Sequence, residues 1–416
     1  MTGSIDISAR ALATQAIDRA HLAVIQNALL RAPCRFPPVM AEPPTINKGA
    51  DFASSTIPSA QFIPVPDPRM GCHFSELSTV NFTASHGGRD VGFYTNPGPA
   101  PQHMVFSLMT DADQVDLLFS RSQRVQFLID GKRASAAPFE WTVNGSTRYI
   151  VSLHFTSAEM REISFNVGSM AGAYIGPTYS MAPGRISGAG AISISAVTDS
   201  YGSKPGSQTK LAMQIGMLLG CSGVQQDTLG GTGYAQSNAS DPAPEDHFLA
   251  RSTPGHVAQQ SFAEWNSDID FVLGGINDLP SLTVDQVRSV LLARRALFPR
   301  AIIIAGGNWW PDPTATRVAS TKFETIQTVI DQAISSLPGP WVLIDNIHGE
   351  WRNSAGVRGS TGGEPWQTGA GTESMPTGVG NGDIYIADDG THPTMKGVDY
   401  LSVRLAETAR TAILAL

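Results

Sequence analysis

Short apolar runs alternate with longer helical patterns through the second half of this 416-residue chain. The apolar runs end at turn signals and predict β-strands at 192–197, 269–273, 301–305 and 341–345, with a further short strand near 222–226. The segments around them predict helices near 205–220, 283–298, 316–336 and 394–414. Strands that alternate with helices form a parallel sheet with helices on both faces, which predicts an α/β domain.

Two polar turns directly follow strands of this predicted sheet. Ser200 lies in the turn Thr-Asp-Ser-Tyr-Gly after the first strand, and Asn277 lies in Gly-Gly-Ile-Asn-Asp after the strand at 269–273. Ligands of such sheets bind at the carboxyl ends of the strands. A serine at a strand-to-helix turn is exposed there, and its backbone N–H can join an anion site. An asparagine amide can donate to a developing oxyanion.

Two further stretches carry groups that could act together with Ser200 and Asn277. Asp389 and His392 lie three residues apart in a turn-rich loop before the last predicted helix. A carboxylate at Nδ1 of an imidazole leaves the other ring nitrogen to act as a base toward a nucleophile. The stretch Leu-Gly-Gly-Thr-Gly-Tyr at 229–234 is a turn whose backbone can approach a substrate closely. Each stretch alone is more typical of a turn or a helix cap, but together they indicate an active site.

The chain resembles the SGNH (GDSL-type) hydrolases over roughly residues 190–416, because the residues of four family blocks occur in family order: Ser200, Gly231, Asn277, and Asp389 with His392. The resemblance implies a three-layer α/β/α domain and a serine, histidine and aspartate triad. It also implies an oxyanion hole formed by two backbone N–H groups, of Ser200 and Gly231, and by the Asn277 amide. Gly233 is the second choice for the glycine donor.

Thr198 departs from the family pattern, because glycine usually stands two residues before the serine. We expect the β-branched side chain to alter the packing of the turn rather than the chemistry. A second Asp-x-x-His, formed by Asp345 and His348, also follows a strand. It lacks the following helix and the family spacing, so we expect a turn with a surface histidine.

The region 73–180 shows short strands with turn signals, which are typical of an antiparallel β-sandwich. The dipeptide Asp130-Gly131 predicts a hairpin turn. The order of the regions resembles two-domain carbohydrate acetyl esterases, in which a small jelly-roll domain precedes the hydrolase. The chain is therefore divided into a helix and connector at 1–70, a jelly-roll-like sandwich at 71–185 and a hydrolase domain at 186–416.

The N-terminal region begins with an apolar helical pattern at 8–32, followed by a proline-rich stretch at 33–70. The helix is expected to pack on the body of the protein or to form a subunit contact in a homo-oligomer, because its apolar surface needs covering. The proline-rich stretch predicts an extended connector.

The long segment 346–387 is rich in glycine and aromatic residues, and we expect it to form a lid or wall beside the substrate. Tryptophans in this segment and after the strand at 301–305 either stack on a sugar ring or pack in the core: Trp309, Trp310, Trp351 and Trp366.

Composition narrows the function classes further. The formal net charge of −8 argues against a nucleic-acid groove or an anionic membrane surface. The 3 cysteines have no metal-site spacing, and no cofactor motif is seen, so neither a metal nor a cofactor is expected. No signal peptide or membrane span is recognised, which leaves a cytoplasmic location as the default and a secreted one open.

These patterns predict a serine esterase that removes short acyl groups, acetyl in particular, from a carbohydrate. Two alternatives stay open. One is a lipase or thioesterase-like hydrolase of simple acyl esters. The other is a non-catalytic protein, such as a carbohydrate-binding or virion structural component.

Overall fold

The structure is a computed structural model that describes most of the chain. The described residues are all except 1–18, 33, 37, 50–53, 66, 71–77, 87–88, 96–103, 121–122, 137–138, 142–147, 168–169, 185–191, 203–210, 222, 238–245, 255–266, 308–320 and 362–367. Several β-sheets and helices make it a mixed α/β protein.

The first 14 strands form antiparallel sheets. They are β1 Thr45–Lys48, β2 Gln61–Pro64, β3 Ser78–His86, β4 Arg89–Thr95, β5 Met104–Thr110, β6 Gln114–Ser120, β7 Gln123–Val125, β8 Leu128–Ile129, β9 Lys132–Arg133, β10 Phe139–Trp141, β11 Arg148–His154, β12 Arg161–Val167, β13 Met170–Ile175 and β14 Met181–Pro183. One sheet has the order β1-β11-β6-β13-β4-β3, with β2 also on β13. A second has the order β14-β5-β12-β8-β9, and β10 pairs with β7.

The hairpin turn predicted at Asp130-Gly131 is confirmed. It joins β8 to β9, which pair antiparallel, and the two turn residues have φ angles of 50° and 73°. Both central residues of a type I′ turn need positive φ, which aspartate tolerates and glycine adopts freely.

The proline-rich stretch at 33–70 is more than a connector. Its strand β1 pairs with β11, and its strand β2 pairs with β13, so both extend a sheet. Ile63, Val65 and Met70 are buried in the core of these sheets. These two strands were not predicted because each has only 4 residues, which is too few to show a hydrophobic period.

The remaining strands form a single sheet with the order β16-β15-β17-β18-β19-β20-β21. Their bounds are β15 Ser193–Thr198, β16 Gly223–Thr228, β17 Ile269–Leu273, β18 Ile302–Gly306, β19 Trp341–Asp345, β20 Glu350–Asn353 and β21 Arg358–Ser360. The first five in this order pair in parallel, as predicted. β20 and β21 add an antiparallel hairpin that was not predicted, so part of the expected lid at 346–387 belongs to the sheet.

The helices are α1 at 19–30, α2 Leu211–Leu219, α3 Phe248–Arg251, α4 Val284–Leu297, α5 Thr321–Ser335, α6 Gly382–Tyr385 and α7 Met395–Leu414. Alternate residues of the strands pack in two different clusters because side chains along a strand point to opposite faces. Phe271 and Ile304 pack with α2 and α7, whereas Val272 and Ile303 pack with α4 and α5. Among the described helices, none combines the length and the hydropathy needed to cross a bilayer.

Helix α1 packs on the α/β part of the chain. Ile25 and Leu29 are buried in the cluster that also contains α2 and α7. Gln26 Nε2 donates to the Ile413 carbonyl at 3.0 Å, and Arg410 Nε donates to the Leu29 carbonyl at 2.9 Å. This contact covers Ile25 and Leu29 within the chain, so they are not available for the subunit contact that the sequence also allowed. The predicted residues 8–18 of the helix lie outside the described residues.

The packing of α1 can be tested with two neighbouring residues. Ile25 is 1% exposed and Val24 is 53% exposed. We expect Ile25→Ala to lower the free energy of unfolding by about 2–4 kcal/mol, because it leaves a cavity in the core. Val24→Ala is expected to change it by no more than about 0.5 kcal/mol. Equal, small effects of both substitutions in urea unfolding would contradict the packing of α1.

Candidate active site

Ser200 lies two residues beyond the carboxyl end of strand β15. The strand stops because the Asp199 carboxylate accepts the backbone N–H of Tyr201 at 2.9 Å, and the Asp199 carbonyl accepts that of Gly202 at 3.1 Å. These two hydrogen bonds turn the backbone into a 3₁₀ turn over Ser200–Gly202. Ser200 is consequently half-buried at the edge of the sheet, between two buried neighbours.

The structure brings His392 to Ser200 from 192 residues along the chain. The Nε2 atom of His392 lies 2.9 Å from Ser200 Oγ, and its Nδ1 atom lies 2.6 Å from Asp389 Oδ2. The other oxygen of Asp389 accepts the backbone N–H groups of Thr391 and His392 at 3.0 and 2.9 Å. Burial acts to raise the pKa of Asp389, but these hydrogen bonds prevail and lower it below the usual value.

The backbone is held by hydrogen bonds on both sides of His392. After it, Thr394 caps α7, and its Oγ1 accepts the Gly397 N–H at 3.0 Å. Before His392, the carbonyl of Thr391 accepts the hydroxyl of Tyr201. Tyr201 is fully buried and directly follows the serine. The residue after Ser200 is therefore hydrogen-bonded to the residue before His392, a link that the sequence did not predict.

Asp345 and His348 form a second pair with nearly the same local geometry. His348 Nδ1 lies 2.7 Å from Asp345 Oδ2, and the backbone N–H groups of Ile347 and His348 donate to Asp345 Oδ1 at 2.9 and 3.0 Å. The difference lies at Nε2, which faces Glu324 Oε1 at 3.3 Å instead of a hydroxyl. His348 is half exposed. As expected, this pair is a turn with a surface histidine.

The glycine turn lies beside the serine. A Cβ built on Gly230 would be 3.6 Å from Ser200 Cβ. Gly231 adopts φ 78°, and within the described residues its N–H donates to no other group. The N–H of Gly233, the second choice for an oxyanion donor, instead donates to the Gln236 carbonyl at 2.8 Å. These contacts favour Gly231 over Gly233 as the glycine whose N–H can donate to a ligand.

Asn277 and Asp278 connect the next turn of the sheet to the glycine turn. Asn277 Nδ2 donates to the Thr232 carbonyl at 2.9 Å, which leaves the second hydrogen of this amide for a ligand. The buried carboxylate of Asp278 accepts three consecutive N–H groups, of residues 234, 235 and 236, at 2.8, 2.8 and 3.0 Å. A side chain at Gly233 would overlap this carboxylate. The position of Asp278 directly after Asn277 was the sequence signal that could have indicated this contact with the segment after the glycine turn.

Thr198 is accommodated by its neighbour across the sheet. The register pairs Thr198 with Thr228, and their Oγ1 atoms lie 2.9 Å apart in a buried hydrogen bond. Both side chains are buried, at 1% and 5% exposure. The threonine in the usual glycine position is thus hydrogen-bonded to the neighbouring strand, and its effect on the chemistry stays a prediction.

Arg251 is a buried residue of this region that sequence reasoning missed. It is 2% exposed and pairs with Asp227 at 2.8 Å. Its Nη2 atom donates to the carbonyl of Thr198 and to the hydroxyl of Thr232, each at 3.0 Å. It lies in a stretch without hydrophobic period or motif, so no sequence signal pointed to it.

Of the four tryptophans considered for substrate binding, the structure describes Trp351. Trp351 lies in β20, is 5% exposed and packs against Gly359. Of the two alternatives for this residue, its burial favours packing in the core over stacking on a sugar ring, because the segment that carries it folds into the sheet. Trp309, Trp310 and Trp366 lie outside the described residues. Among the residues that the structure does describe, no group of three histidine, cysteine, aspartate or glutamate side chains could hold a metal ion.

No protein-family model matches the chain, and no curated protein matches it. Several solved structures are similar to it. A carbohydrate esterase family 2 enzyme with a carbohydrate-binding domain from Corynascus thermopiles (Myceliophthora fergusii) is 15% identical, with a TM-score of 0.47, covering 78% of this chain and 99% of that one. A family two carbohydrate esterase from Clostridium thermocellum, in complex with cellohexaose, is 13% identical, with a TM-score of 0.47, covering 77% and 98%.

A protein described as a GDSL-like lipase, from Bacteroides ovatus, is 13% identical, with a TM-score of 0.49, and the match covers 75% of this chain and 85% of that one. All three similarities are at low sequence identity. These similarities assign no role to any residue of this chain.

Asp199 offers a test of the turn that carries Ser200. Its side chain is fully buried, and burial raises its pKa from 3.8 to about 7, against the opposing effect of the Tyr201 N–H. Between these two values the folded state holds a proton that the unfolded state has released, so the stability contributed by this group falls as pH rises.

We expect Asp199→Asn to gain stability relative to the wild type as the pH rises from about 5 to about 8, by about 2–3 kcal/mol. Urea unfolding of both proteins at pH 5 and pH 8 measures this gain. Asp111→Asn is the control. Hydrogen bonds from Ser180 lower the pKa of that aspartate, so it is ionised in both the folded and the unfolded protein over this range. The expectation would be refuted if the free energies of unfolding of Asp199→Asn and the wild type differed by the same amount at both pH values.

Proposed function

We propose that this protein is a serine esterase in which Ser200 is the nucleophile, His392 the general base and Asp389 the residue that orients the histidine. The observation that carries the proposal is the 2.9 Å contact between Ser200 Oγ and His392 Nε2. A serine hydroxyl is a weak nucleophile until a base within hydrogen-bond reach takes its proton. The Asp389 carboxylate favours a proton on Nδ1, which leaves Nε2 as the acceptor.

In the first half of the reaction, Ser200 Oγ attacks the ester carbonyl while its proton moves to His392 Nε2. The imidazolium that forms is stabilised by Asp389, whose lowered pKa keeps it ionised at neutral pH. The tetrahedral oxyanion accepts hydrogen bonds from the N–H groups of Ser200 and Gly231 and from the Asn277 amide. His392 then protonates the leaving alcohol, and an acyl-enzyme on Ser200 remains.

In the second half, water attacks the acyl-enzyme and gives a proton to His392. The same oxyanion donors stabilise the second tetrahedral intermediate, and its collapse returns the proton to Ser200 Oγ. The position of the glycine turn beside Ser200, and the hydrogen bond from Asn277 to that turn, support this assignment of donors.

We further propose that the substrate is a carbohydrate bearing short acyl groups, acetyl in particular. The support is the order of the chain, in which antiparallel sheets precede the strand and helix pattern, as in the carbohydrate acetyl esterases that the sequence resembles. In this proposal, a jelly-roll-like sandwich precedes an SGNH-type three-layer hydrolase domain. Hydrolysis of p-nitrophenyl esters of increasing acyl length separates an acetyl esterase, which prefers acetate, from a lipase-like enzyme, which prefers longer chains. Acetate release from acetylated xylan tests the carbohydrate directly.

The two Asp-x-x-His pairs give the triad a matched test. We expect Ser200→Ala and His392→Ala each to lower kcat on p-nitrophenyl acetate by about 10⁴-fold or more, because the nucleophile and base act as a unit. His348→Ala should keep wild-type turnover, since its Nε2 faces a carboxylate. Equal activity of the Ser200→Ala variant and the wild type would end the proposal.

Asn277 can be tested as an oxyanion donor. Asn277→Ala is expected to lower kcat by about 10²–10³-fold with little change in KM, because the donor acts on charge that develops only in the transition state. Steady-state kinetics on p-nitrophenyl acetate measure both constants. A rise in KM with unchanged kcat would instead place Asn277 in substrate binding.

A further inference from the structure

Arg251 buries a full positive charge at the base of the site. It is the last residue of α3, is 2% exposed and makes four hydrogen bonds. Nε donates to the Asp246 carbonyl at 3.0 Å, and Nη1 to Asp227 Oδ1 at 2.8 Å. Nη2 donates to both the Thr198 carbonyl and Thr232 Oγ1 at 3.0 Å. Every acceptor is a polar group near the carboxyl end of β15 or β16 or in the segments that follow β16.

The two acceptors of Nη2 belong to the two turns that supply the proposed backbone donors. Thr198 ends β15, two residues before Ser200, and Thr232 directly follows Gly231. One nitrogen atom therefore joins the turn of the nucleophile to the glycine turn. Since the guanidinium group is planar and rigid, it fixes the separation of these turns as well as joining them.

Thr232 connects this link to the third proposed donor. Its hydroxyl accepts from Arg251 and donates to the Leu229 carbonyl at 2.8 Å, which closes the glycine turn. Its carbonyl accepts Asn277 Nδ2 at 2.9 Å. The backbone of Ser200, the glycine turn and Asn277 are thus held through one residue, Thr232, and one cation.

We propose that Arg251 is a positioning residue of the esterase reaction, which sets the spacing of the oxyanion donors by joining Thr198 to Thr232. This inference rests on the function proposed above. Arg251 lies behind the turns and acts through them, so its contribution is made to the transition state rather than to substrate binding. Displacing preorganised donors by about 1 Å can cost about 10²-fold in rate.

The test compares two substitutions in this link with one elsewhere. Arg251→Lys keeps the charge opposite Asp227 but cannot reach all four acceptors with one ammonium group. Thr232→Val removes only the hydroxyl and leaves the Arg251–Asp227 pair intact, so it remains informative if Arg251→Lys does not fold. Arg294→Lys is the matched control. Arg294 of helix α4 forms a buried ion pair with Asp270 of β17, and the two side chains are 4% and 0% exposed.

Three measurements are made on each full-length variant: kcat and KM on p-nitrophenyl acetate, the rate at which a fluorophosphonate labels Ser200, and the free energy of unfolding. We expect Arg251→Lys and Thr232→Val to lower kcat and the labelling rate by about 10–10²-fold, with KM and the pH midpoint of kcat/KM unchanged. An unchanged midpoint means that His392 still acts as the base. Arg294→Lys is expected to lose stability only.

The proposal is overturned if Arg251→Lys and Thr232→Val lose stability as Arg294→Lys does but keep the wild-type kcat and labelling rate. It is equally overturned if their loss appears in KM alone. Wild-type protein that neither hydrolyses any ester nor is labelled at Ser200 would refute the proposed function itself. Because that result is obtained with the wild-type protein alone, failure of the proposed function can be told apart from failure of the proposal about Arg251.

Discussion

The parallel register of three neighbouring strands is the constraint on which the site depends. Thr198 of β15 is paired with Thr228 of β16 on one side and with Leu273 of β17 on the other. The turns after these residues therefore start at the same level of the sheet, and they carry Ser200, the glycine turn and Asn277. A slip of one residue between any two strands would turn alternate side chains to the other face and separate these groups. The buried Thr198–Thr228 hydrogen bond helps to hold this level.

The two Asp-x-x-His pairs show what a short motif encodes. In both, an aspartate accepts two following backbone N–H groups and holds the Nδ1 side of the imidazole, so the four-residue pattern folds the same way at both places. The chemistry is decided by the atom opposite Nε2: a serine hydroxyl for His392 and a glutamate for His348. That contact depends on the path of the whole chain. A local motif predicts the conformation of the loop but not its partner.

The same division between local and distant information explains what the sequence could predict. Four of the parallel strands were evident because they are runs of mostly buried residues, as in Ile269–Leu273 and Ile302–Gly306. The motif residues that the structure brings together could be recognised by their order. The strands β1, β2, β20 and β21 were missed because each has 3 or 4 residues and no clear period. Arg251 and Tyr201 were missed because their roles lie in contacts with residues far along the chain.

The packing of α1 on α7 makes the α/β part of this chain discontinuous in sequence. Among the described residues, those buried in its core come from 25–34 and then from 192 onward, so the antiparallel sheets form an insertion in its sequence. Closing a loop of this length costs a few kcal/mol of chain entropy if the inserted residues are unfolded. If the inserted sheets fold first, their compact form already brings the two flanks closer together and reduces that cost. The antiparallel sheets would then act as an internal scaffold for assembling the α/β part.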